Sequence, residues 1–469
     1  MGDSREAMRR RQQLPSDRVV VPNTGIELPL NLDLSRRDIL KIAGYGSLAA
    51  FIAACGGTTT TTTTSVTAKG GSMSLGSYLS DAVPKKGLRD VVDAFTAANG
   101  GTKVKVNTVD HGTYQNQINS YLQGTPEDVF TWFSGHRMRF FADKGLAQPI
   151  DDVWNDVKGN FTEGFAASVK GNDGKVYAIP TSYYPWALFY RKDVFAAGNY
   201  KVPTNWDELK TLADQMKKDG LIPIAFADKD GWPAMGTFDI INLRINGYDF
   251  HTELCVGKQK WTDPRVANVF KKWAEITPYY SPAFAGLTWQ EAAQQLLHKK
   301  AGMYLLGLFV SEQFVGSGNP DDLAQLDFFP FPDLGTQYDS EKALDAPIDV
   351  YMLAKKSPTL GADSGQAKAF LEFLSKGSTQ ILYWKSSPGA IPTANDADPS
   401  QYPALTKKAA QIVSNAKRIT QFFDRDSRPD FSGPNSMQGF LLKYLANPRS
   451  DTSSLQGEMQ KFWDSLPPE

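Results

Sequence analysis

Residues 176–195, VYAIPTSYYPWALFYRKDVF, are the stretch that decides the fold. Their start, VYAI, predicts a short β-strand that Pro180 cannot continue as a central strand, because proline lacks the N–H that a neighbouring strand needs. A second β-prone run at residues 188–190 leads into an amphipathic helix. The segment between the two runs is predicted to cross from one domain to another.

This crossing segment carries three aromatic side chains, Tyr183, Tyr184 and Trp186, and is stiffened by Pro180 and Pro185. Rigid aromatic faces stack on the C–H groups of pyranose rings and hydrogen-bond at their edges. The segment therefore predicts a sugar-binding surface at a hinge between domains. Packing in an ordinary hydrophobic core is the alternative interpretation of the same rings.

Length and composition describe a multidomain globular chain. The 469 residues predict more than one domain. The net charge of -1, without a sustained basic patch, argues against a nucleic-acid partner. Aromatic residues make up 12% of the chain and include ten tryptophans. This excess fits carbohydrate recognition, although a large core also absorbs such residues.

The residue types that usually hold metals or perform catalysis are sparse. The chain has two cysteines, and because Cys55 lies in a processing motif, Cys255 is left without a disulfide partner. No P-loop, dinucleotide fingerprint, nucleophile elbow or HExxH motif occurs. The histidines, which lack metal-ligand spacing, are His111, His136, His251 and His298. We therefore expect no metal, no cofactor and no enzymatic activity.

The N-terminal region predicts an export signal. Residues 35–41, SRRDILK, match the twin-arginine pattern through Arg36 and Arg37. The apolar run at residues 42–54 is too short to span a bilayer. It ends in IAACG, which resembles a bacterial lipobox whose Cys55 is lipidated. Residues 1–54 are predicted to be this signal; the alternative is a short core helix that begins at residue 35.

Residues 55–70 are predicted to form a flexible tether. They include seven consecutive threonines at residues 58–64 and no apolar residue able to anchor a core. A lipid on Cys55 would hold the protein through this tether at the extracytoplasmic face of a bacterial cell membrane.

From residue 73 the sequence alternates between strand-like and helix-like segments, which indicates an open, mostly parallel α/β sheet. The first predicted elements are strands at 73–79, 103–109 and 128–132 and helices at 84–97 and 114–122. Ligands of such sheets bind beyond the carboxyl ends of the strands. Tyr78 and Asp81 follow the first strand, and Trp132 and His136 lie at the end of the third, so all four are expected in the cleft.

Similar signals continue beyond the crossing segment. A helix is predicted from residue 203, with Thr204 as its N-cap. Residues 228–231, DKDG, resemble the start of a calcium-binding loop, but Trp232 stands at the fifth position, so we predict no calcium site. Further elements are predicted as strands at 221–226 and 302–307 and helices from 261 and 288.

Five motifs in a fixed order carry a family resemblance. They are VYAIP at 176–180, YRKDVF at 190–195, PTNWDEL at 203–209, AGMY at 301–304 and AIP at 390–392. Across residues 71–469 the chain resembles the carbohydrate-binding members of the family 1 extracellular solute-binding proteins, the receptors of ABC sugar importers, which include maltose-binding protein. Leu308 and Phe309 stand where a polar or Trp-containing pair is common in that family, so one usual ligand contact is not expected here.

The resemblance implies an α/β, two-lobed periplasmic-binding-protein fold of type II, in which each lobe is a mostly parallel sheet with flanking helices. One lobe would take residues 71–180 and 332–386, and the other residues 184–328 and 390–469. Hinge crossings would lie at residues 180–184, 326–332 and 386–391. A strand at 348–354 and a helix at 365–374 would return to the first lobe.

The resemblance also implies a function. The protein would close like a hinge around a mono- or oligosaccharide and deliver it, as a monomer, to the membrane permease of an ABC importer. Two alternatives remain open. A receptor for a phosphorylated polyol or another non-sugar solute would need basic residues in the cleft, and an exported polysaccharide-active enzyme would need a carboxylate pair across it.

The predicted ligand-binding residues are Tyr78, Asp81, Trp132, His136, Tyr183, Tyr184, Trp186, Trp232, Asp239, Trp289, Gly307 and Gly389. The residues expected to stack on sugar rings are Tyr184, Trp186, Trp232 and Trp289. Hydroxyl hydrogen bonds are expected from Asp81, His136 and Asp239, since a buried polar group left unpaired is costly and therefore discriminates between ligands. Asp345 and Asp349 are weaker candidates, and Ser387 is expected, with Gly389, to offer backbone contacts.

Overall fold

The computed structural model describes residues 18–21, 26–29, 70–358 and 365–468. The predicted twin-arginine pair Arg36 and Arg37, the lipidation site Cys55 and nearly all of the tether lie outside these residues. The strands are β1 (Arg18–Val21), β2 (Ile26–Pro29), β3 (Ser72–Ser77), β4 (Lys103–Thr108), β5 (Val129–Phe133), β6 (Ala147–Gln148), β7 (Ala178–Tyr183), β8 (Trp186–Arg191), β9 (Ile222–Ala225), β10 (Ala301–Gly307), β11 (Leu326–Phe329), β12 (Leu344–Asp345), β13 (Ile348–Ala354), β14 (Ile391–Pro392) and β15 (Ile419–Thr420).

Most of the remaining chain is helical. The α-helices are α1 (Ala82–Ala98), α2 (His111–Gln123), α3 (His136–Asp143), α4 (Asp151–Val157), α5 (Glu163–Ser168), α6 (Lys192–Ala197), α7 (Trp206–Lys218), α8 (Trp232–Asn246), α9 (Tyr248–Cys255), α10 (Pro264–Ala274), α11 (Trp289–Leu297), α12 (Val310–Gly316), α13 (Pro320–Gln325), α14 (Gly365–Leu374), α15 (Gly377–Ser386), α16 (Ala404–Asn415), α17 (Phe423–Asp426), α18 (Met437–Ala446) and α19 (Ser453–Ser465). Short 3-10 helices lie at Lys158–Asn160, Thr277–Tyr279, Phe284–Gly286, Gln337–Glu341 and Pro399–Gln401.

Two sheets form the centres of two lobes. The first sheet has the strand order β14-β7-β13-β5-β3-β4, with β6 added against β13, and the second has the order β11-β8-β10-β9. Helices α1, α3 and α14 pack on strands of the first sheet, and α7, α8 and α11 on strands of the second. We call these units the first lobe and the second lobe. The predicted two-lobed α/β architecture is confirmed, and the residue boundaries given above for the lobes stay a prediction.

Strand direction differs from the expected mostly parallel pattern. β3 runs parallel to β4 and β5, because helical crossovers connect these strands. In contrast, β7, β13 and β14 run antiparallel to their neighbours, as does β8 to β10 in the second sheet. The antiparallel strands β7 and β8 stand on either side of the first crossing between the lobes, and both sheets are mixed.

Residues 176–195 contain two strands, β7 and β8, one in each lobe, as predicted. β7, however, continues through Pro180, which the sequence pattern did not allow. The register against β13 shifts between Asp349 and Val350, which pair with Ser182 and Pro180 and leave Thr181 as the extra residue. A proline is tolerated beside such a bulge, because the ladder hydrogen bonds are already interrupted there.

Helix starts follow their capping signals. Thr288 and Glu291 form the capping box at the start of α11, and Asp263 caps α10. The N-cap of α7 is Asn205, because its side chain accepts the N–H of Glu208. The prediction of Thr204 as the N-cap was wrong. Among the described residues, no helix is long and apolar enough to cross a membrane.

Candidate functional site

A cavity lies between the two lobes. The space open to the centres of water-sized molecules is about 110 Å³. Its walls come from the loop after β3, the turn between β7 and β8, the first turns of α8 and α11, the start of α12, the strand β13 and the α17 region. The carboxyl ends of β3 and β10 face this space, which is where open α/β sheets place their ligands.

Aromatic rings form much of the cavity wall. Trp186 stacks on Phe422, with ring centroids 5.0 Å apart and planes inclined by 29°. Phe309 meets Trp289 edge-on at 5.1 Å and Tyr184 edge-on at 5.2 Å. Each of these rings packs against a neighbour and is thereby held in place. The cavity therefore presents rigid, flat apolar surfaces of the kind that stack on sugar rings.

A buried arginine stands at the polar side of the cavity. The Arg425 Nη2 donates to the Tyr184 hydroxyl at 2.9 Å, and its Nη1 lies 3.1 Å from Asp349 Oδ1. Its guanidinium carbon lies 3.9 Å above the centre of the Phe133 ring. Burial lowers the pKa of Arg425, but Tyr184, Asp349 and Asp424 together raise it above its usual value. Arg425 is therefore a fixed positive charge.

Two carboxylates balance the buried positive charge. Asp424 forms an ion pair with Arg137, with Oδ2 and Nη1 3.0 Å apart, and Asp349 faces Arg425. Burial raises the pKa of both aspartates, and the neighbouring arginines oppose this rise. Two arginines and two aspartates thus form a network without net charge.

Three atoms of this network lack a well-directed hydrogen bond. Asp349 Oδ1, Asp424 Oδ1 and Arg425 Nη1 are buried and make none with the residues that the structure describes, although Asp349 Oδ1 and Arg425 Nη1 form an ion pair at 3.1 Å. Two are acceptors and one is a donor. A buried polar atom without a partner is costly, so this arrangement favours a ligand that both donates and accepts hydrogen bonds.

His111 and Gln115, on the first turns of α2, complete the cavity wall on the first lobe. Their side chains meet at 2.6 Å, and the Gln115 carbonyl oxygen accepts from Arg137 at 2.9 Å. Burial and the charges of Arg425 and Arg137 together lower the pKa of His111 to about 4, against the opposing charge of Asp110. His111 is therefore a neutral imidazole at neutral pH.

Two contacts near the cavity join opposite lobes. Asp81, before α1, accepts from Gln290 of α11 at 3.1 and 3.2 Å. Glu312, in the first turn of α12, accepts from the hydroxyl of Ser387, which follows α15. Both contacts require the lobes to lie close together, so the structure shows a closed arrangement.

Residues 419–428, which we call the wedge segment, bring Asp424 and Arg425 to the cavity. The helix α17 within it packs against α3 of the first lobe and against α8. Gln421 accepts from the Ser134 hydroxyl at 3.0 Å and from the Ile348 N–H at 2.9 Å, and Asp239 accepts the Phe423 N–H at 2.5 Å. These bonds tie the wedge segment to both lobes.

Seven of the twelve predicted ligand-binding residues line the cavity, namely Tyr78, Asp81, Tyr184, Trp186, Trp232, Trp289 and Gly389. The structure brings these seven together from distant parts of the chain. The weaker candidate Asp349 also lines the cavity, whereas Asp345 is buried and accepts from the Thr420 hydroxyl.

The other five predicted residues do not line the cavity. Tyr183 faces Phe165, because side chains alternate along a strand and Ser182 and Tyr184 take the cavity side. Trp132 is fully buried beneath the guanidinium of Arg137. His136 is half-buried as the first residue of α3.

Asp239 and Gly307 act on the cavity through other residues. Asp239 is fully buried on α8, where it holds the wedge segment. A side chain at Gly307 would begin 2.4 Å from the Phe309 ring and 2.9 Å from the Tyr184 ring. The absence of a side chain at Gly307 therefore lets these two rings take their places in the cavity wall.

Sequence reasoning missed several residues of the cavity. They are His111, Gln115, Phe309, Glu312, Tyr383, Phe422, Asp424 and Arg425. The one available signal was residues 422–428, FFDRDSR, where charges directly follow two phenylalanines. Such a run usually forms an exposed loop, and nothing in the sequence indicates that it is buried.

A wider polar chamber adjoins the cavity on its outer side. Its walls share His111, Gln115, Trp232 and Trp289 with the cavity. Its other polar residues are Asp110, Thr113, Asn116, Asp228, Lys229, Asp230, Thr288, Gln290 and Gln438. Across the described ranges, no group of three or more His, Cys, Asp or Glu side chains is arranged to hold a metal ion.

The fold and the interlobe cavity define a two-lobed solute receptor. Residues 80–380 match the bacterial extracellular solute-binding protein family, and the chain belongs to this family. An ABC transporter extracellular-binding protein of Pyrococcus horikoshii is 26% identical over 326 residues, which cover 67% of this chain and 70% of that protein. The α-glucosides-binding periplasmic protein AglE of Rhizobium meliloti is 24% identical over 405 residues, or 80% of this chain and 83% of that protein.

Solved structures show the same fold. The bacterial solute receptor AcbH, described as having an exclusive substrate preference for β-D-galactopyranose, has a TM-score of 0.80 and 39% identity, covering 84% of this chain and 99% of AcbH. A chitin oligosaccharide binding protein has a TM-score of 0.72 and 23% identity, covering 84% of this chain and 98% of its own.

Proposed function

We propose that the protein is an extracytoplasmic receptor that captures a pyranose sugar between its lobes and delivers it to the permease of an ABC importer. The observation that carries this proposal is the combination of aromatic walls with the buried ion-paired network of Asp349, Asp424 and Arg425, three of whose atoms lack a well-directed hydrogen bond. Sugar hydroxyls both donate and accept hydrogen bonds, and the C–H faces of the ring suit the aromatic walls.

The first ligand to consider is β-D-galactopyranose. The similarity to AcbH, at 39% identity over nearly all of that protein, supports this choice. The cavity, in which about 110 Å³ is open to the centres of water-sized molecules, also favours one ring over a chain of rings. The adjoining outer chamber gives room for a substituent on that ring, so a short glycoside is the second ligand to consider.

The charge balance of the cavity disfavours a phosphorylated ligand. Arg425 lines the cavity and Arg137 lies behind it, but Asp349 and Asp424 neutralise both. Asp81 and Glu312 add further carboxyl groups to the wall. A phosphate entering this site would meet acidic groups without a free cation, and burying it there would be unfavourable.

The predicted anchoring fits this role. Lipidation of Cys55 after twin-arginine export would hold the receptor at the outer face of the membrane, as a monomer on its tether. From there the receptor could dock on the permease. We infer no enzymatic activity, and the relatives named above support a receptor rather than a catalyst.

Isothermal titration calorimetry with D-galactose, D-glucose, methyl β-D-galactoside and glycerol 3-phosphate tests this proposal. We expect binding of galactose and of its methyl glycoside, with the sugar recovered unchanged after overnight incubation. Preferential binding of glycerol 3-phosphate would favour a polyol phosphate receptor. Consumption of an oligosaccharide in the same incubation would favour an enzyme.

A further inference from the structure

Glu312 occupies a position that the proposed function does not explain by itself. It lies in the first turn of α12, which follows β10 of the second lobe and packs against α1 of the first lobe. The side chain is 9% exposed and lines the cavity. A carboxyl group in such a place needs partners, since a buried charge without one is unfavourable.

One oxygen of Glu312 is held by the opposite lobe. Glu312 Oε1 accepts from the Ser387 hydroxyl, and Ser387 is buried directly after α15. The chain can approach this closely because residue 389 is glycine. A methyl group at Gly389 would lie 2.7 Å from Glu312 Oε1 and 2.8 Å from the Phe309 Cα. The contact therefore belongs to a closely fitted junction between the lobes.

The other oxygen, Oε2, has no hydrogen bond with any described residue, while its carboxyl group lines the cavity. The groups that face Glu312 from the first lobe are Asp81, Asp349 and Tyr383. Burial raises the pKa of Glu312 to about 8; Ser387 lowers it, and Asp81 and Asp349 raise it. At neutral pH, Glu312 is therefore a neutral acid whose hydroxyl is free to donate from Oε2 into the cavity.

We propose that Glu312 couples ligand capture to lobe closure, by holding Ser387 of the first lobe with one carboxyl oxygen and a ligand oxygen with the other. This inference rests on the proposed sugar-receptor function and names a specific contact within that site. Because both partners are in reach only when the lobes are closed, the contact stabilises the closed liganded state over the open one.

A pH dependence follows from this geometry. When the lobes open, Glu312 loses Ser387 and meets water, so its pKa returns toward the usual value of about 4.3. Closure around the ligand then takes up a proton. Affinity is greatest at acid pH, falls by up to about tenfold per pH unit as the pH rises toward 8, and levels off above it.

Calorimetry of the full chain with D-galactose at pH 5.5, 6.5, 7.5 and 8.5 tests the inference. Glu312→Gln keeps a neutral donor but cannot take up a proton on closure, so it should bind with a shallower pH dependence than the wild type. Ser387→Ala should weaken binding at pH 6.5 by about tenfold, the loss of one hydrogen bond to a carboxyl group. The exposed Glu163→Gln is the matched control and should follow the wild type.

The outcomes separate the two proposals. A wild-type affinity that falls with pH, together with a flatter profile for Glu312→Gln, would support the role of Glu312. If the wild type binds galactose but Glu312→Gln follows its profile, the role of Glu312 is overturned and the receptor stands. If the wild type binds none of the sugars at any pH, the receptor function is overturned and this inference with it.

Discussion

Removal of Arg425 should harm both stability and ligand binding. In an Arg425→Met variant, Asp349 loses the guanidinium 3.1 Å from its Oδ1, and the Tyr184 hydroxyl loses a donor at 2.9 Å. Two buried carboxylates then remain with Arg137 alone. Breaking a buried ion pair by removing one partner destabilises a protein by about 3–5 kcal/mol. Urea denaturation should therefore show a loss of that size.

Binding should weaken as well, because Arg425 lines the cavity and its Nη1, ion-paired with Asp349, makes no well-directed hydrogen bond with the described residues and can donate to a ligand. A hydrogen bond from a charged group contributes about 1.5–3 kcal/mol, so the Kd for galactose should rise by roughly 10- to 150-fold. Calorimetry measures this change. Arg425→Lys keeps the charge but cannot reach Asp349 and Tyr184 with one planar group, so it should recover stability only in part.

A second substitution distinguishes electrostatics from packing. Asp349→Asn removes the charge that Arg425 neutralises, so the double variant Arg425→Met, Asp349→Asn should be more stable than the sum of the single effects predicts. The coupling in this double-mutant cycle should reach about 1 kcal/mol or more. A loss below about 1 kcal/mol for Arg425→Met, with an unchanged Kd, would refute the reasoning.

Three further substitutions test the cavity walls, all by calorimetry with galactose. Trp186→Leu removes a ring that stacks on Phe422 and should weaken binding by at least ~2 kcal/mol, which is about 30-fold in Kd. An unchanged Kd would exclude Trp186 as a stacking residue. Gly389→Ala places a methyl group 2.8 Å from the Phe309 Cα and should destabilise the closed protein by ~1–3 kcal/mol, because it forces the junction between the lobes apart. Normal affinity and stability of this variant would contradict that fit. Tyr183→Phe should leave the Kd within about twofold, since its ring faces away from the cavity; a larger loss would show that Tyr183 reaches the ligand.

Local signals in the sequence predicted most elements of the fold. Apolar periodicity predicted α1, whose Leu88, Val91 and Phe95 are buried. A helix was also predicted from residue 288, where Thr288 and Glu291 form a capping box at the start of α11. Strand direction was harder to predict. The antiparallel pairing of β7 with β13 joins residues about 170 positions apart, and no local pattern encodes that pairing.

The sequence predicted those residues of the candidate site that lie near strand ends or in the first crossing. Tyr184 and Trp186 were found because prolines and aromatic rings stand together there. Tyr183 was included because it lies with Tyr184 and Trp186 in the same aromatic stretch, but the alternation of side chains along β7 turns its ring away from the cavity.

The wedge segment was missed for a different reason. Its charges look like those of an exposed loop, and their burial depends on partners far away in the chain. Gln421, for example, binds Ser134 across 287 residues. Asp239 was predicted to hydrogen-bond a sugar hydroxyl, but it is fully buried on α8. Its partner is the backbone of Phe423, 184 residues away, which sequence spacing does not reveal.

The most direct test of the account is a thermal-shift titration of the full chain with D-galactose at pH 6.5, followed by analysis of the recovered sugar. At about 100-fold over Kd, a ligand that binds only the folded protein stabilises it by roughly 2.7 kcal/mol, which raises the Tm by several degrees. We expect such a rise for galactose, a smaller one for glucose and intact sugar afterwards. A rise with glycerol 3-phosphate alone, or hydrolysis of an oligosaccharide without a shift for any intact sugar, would contradict it.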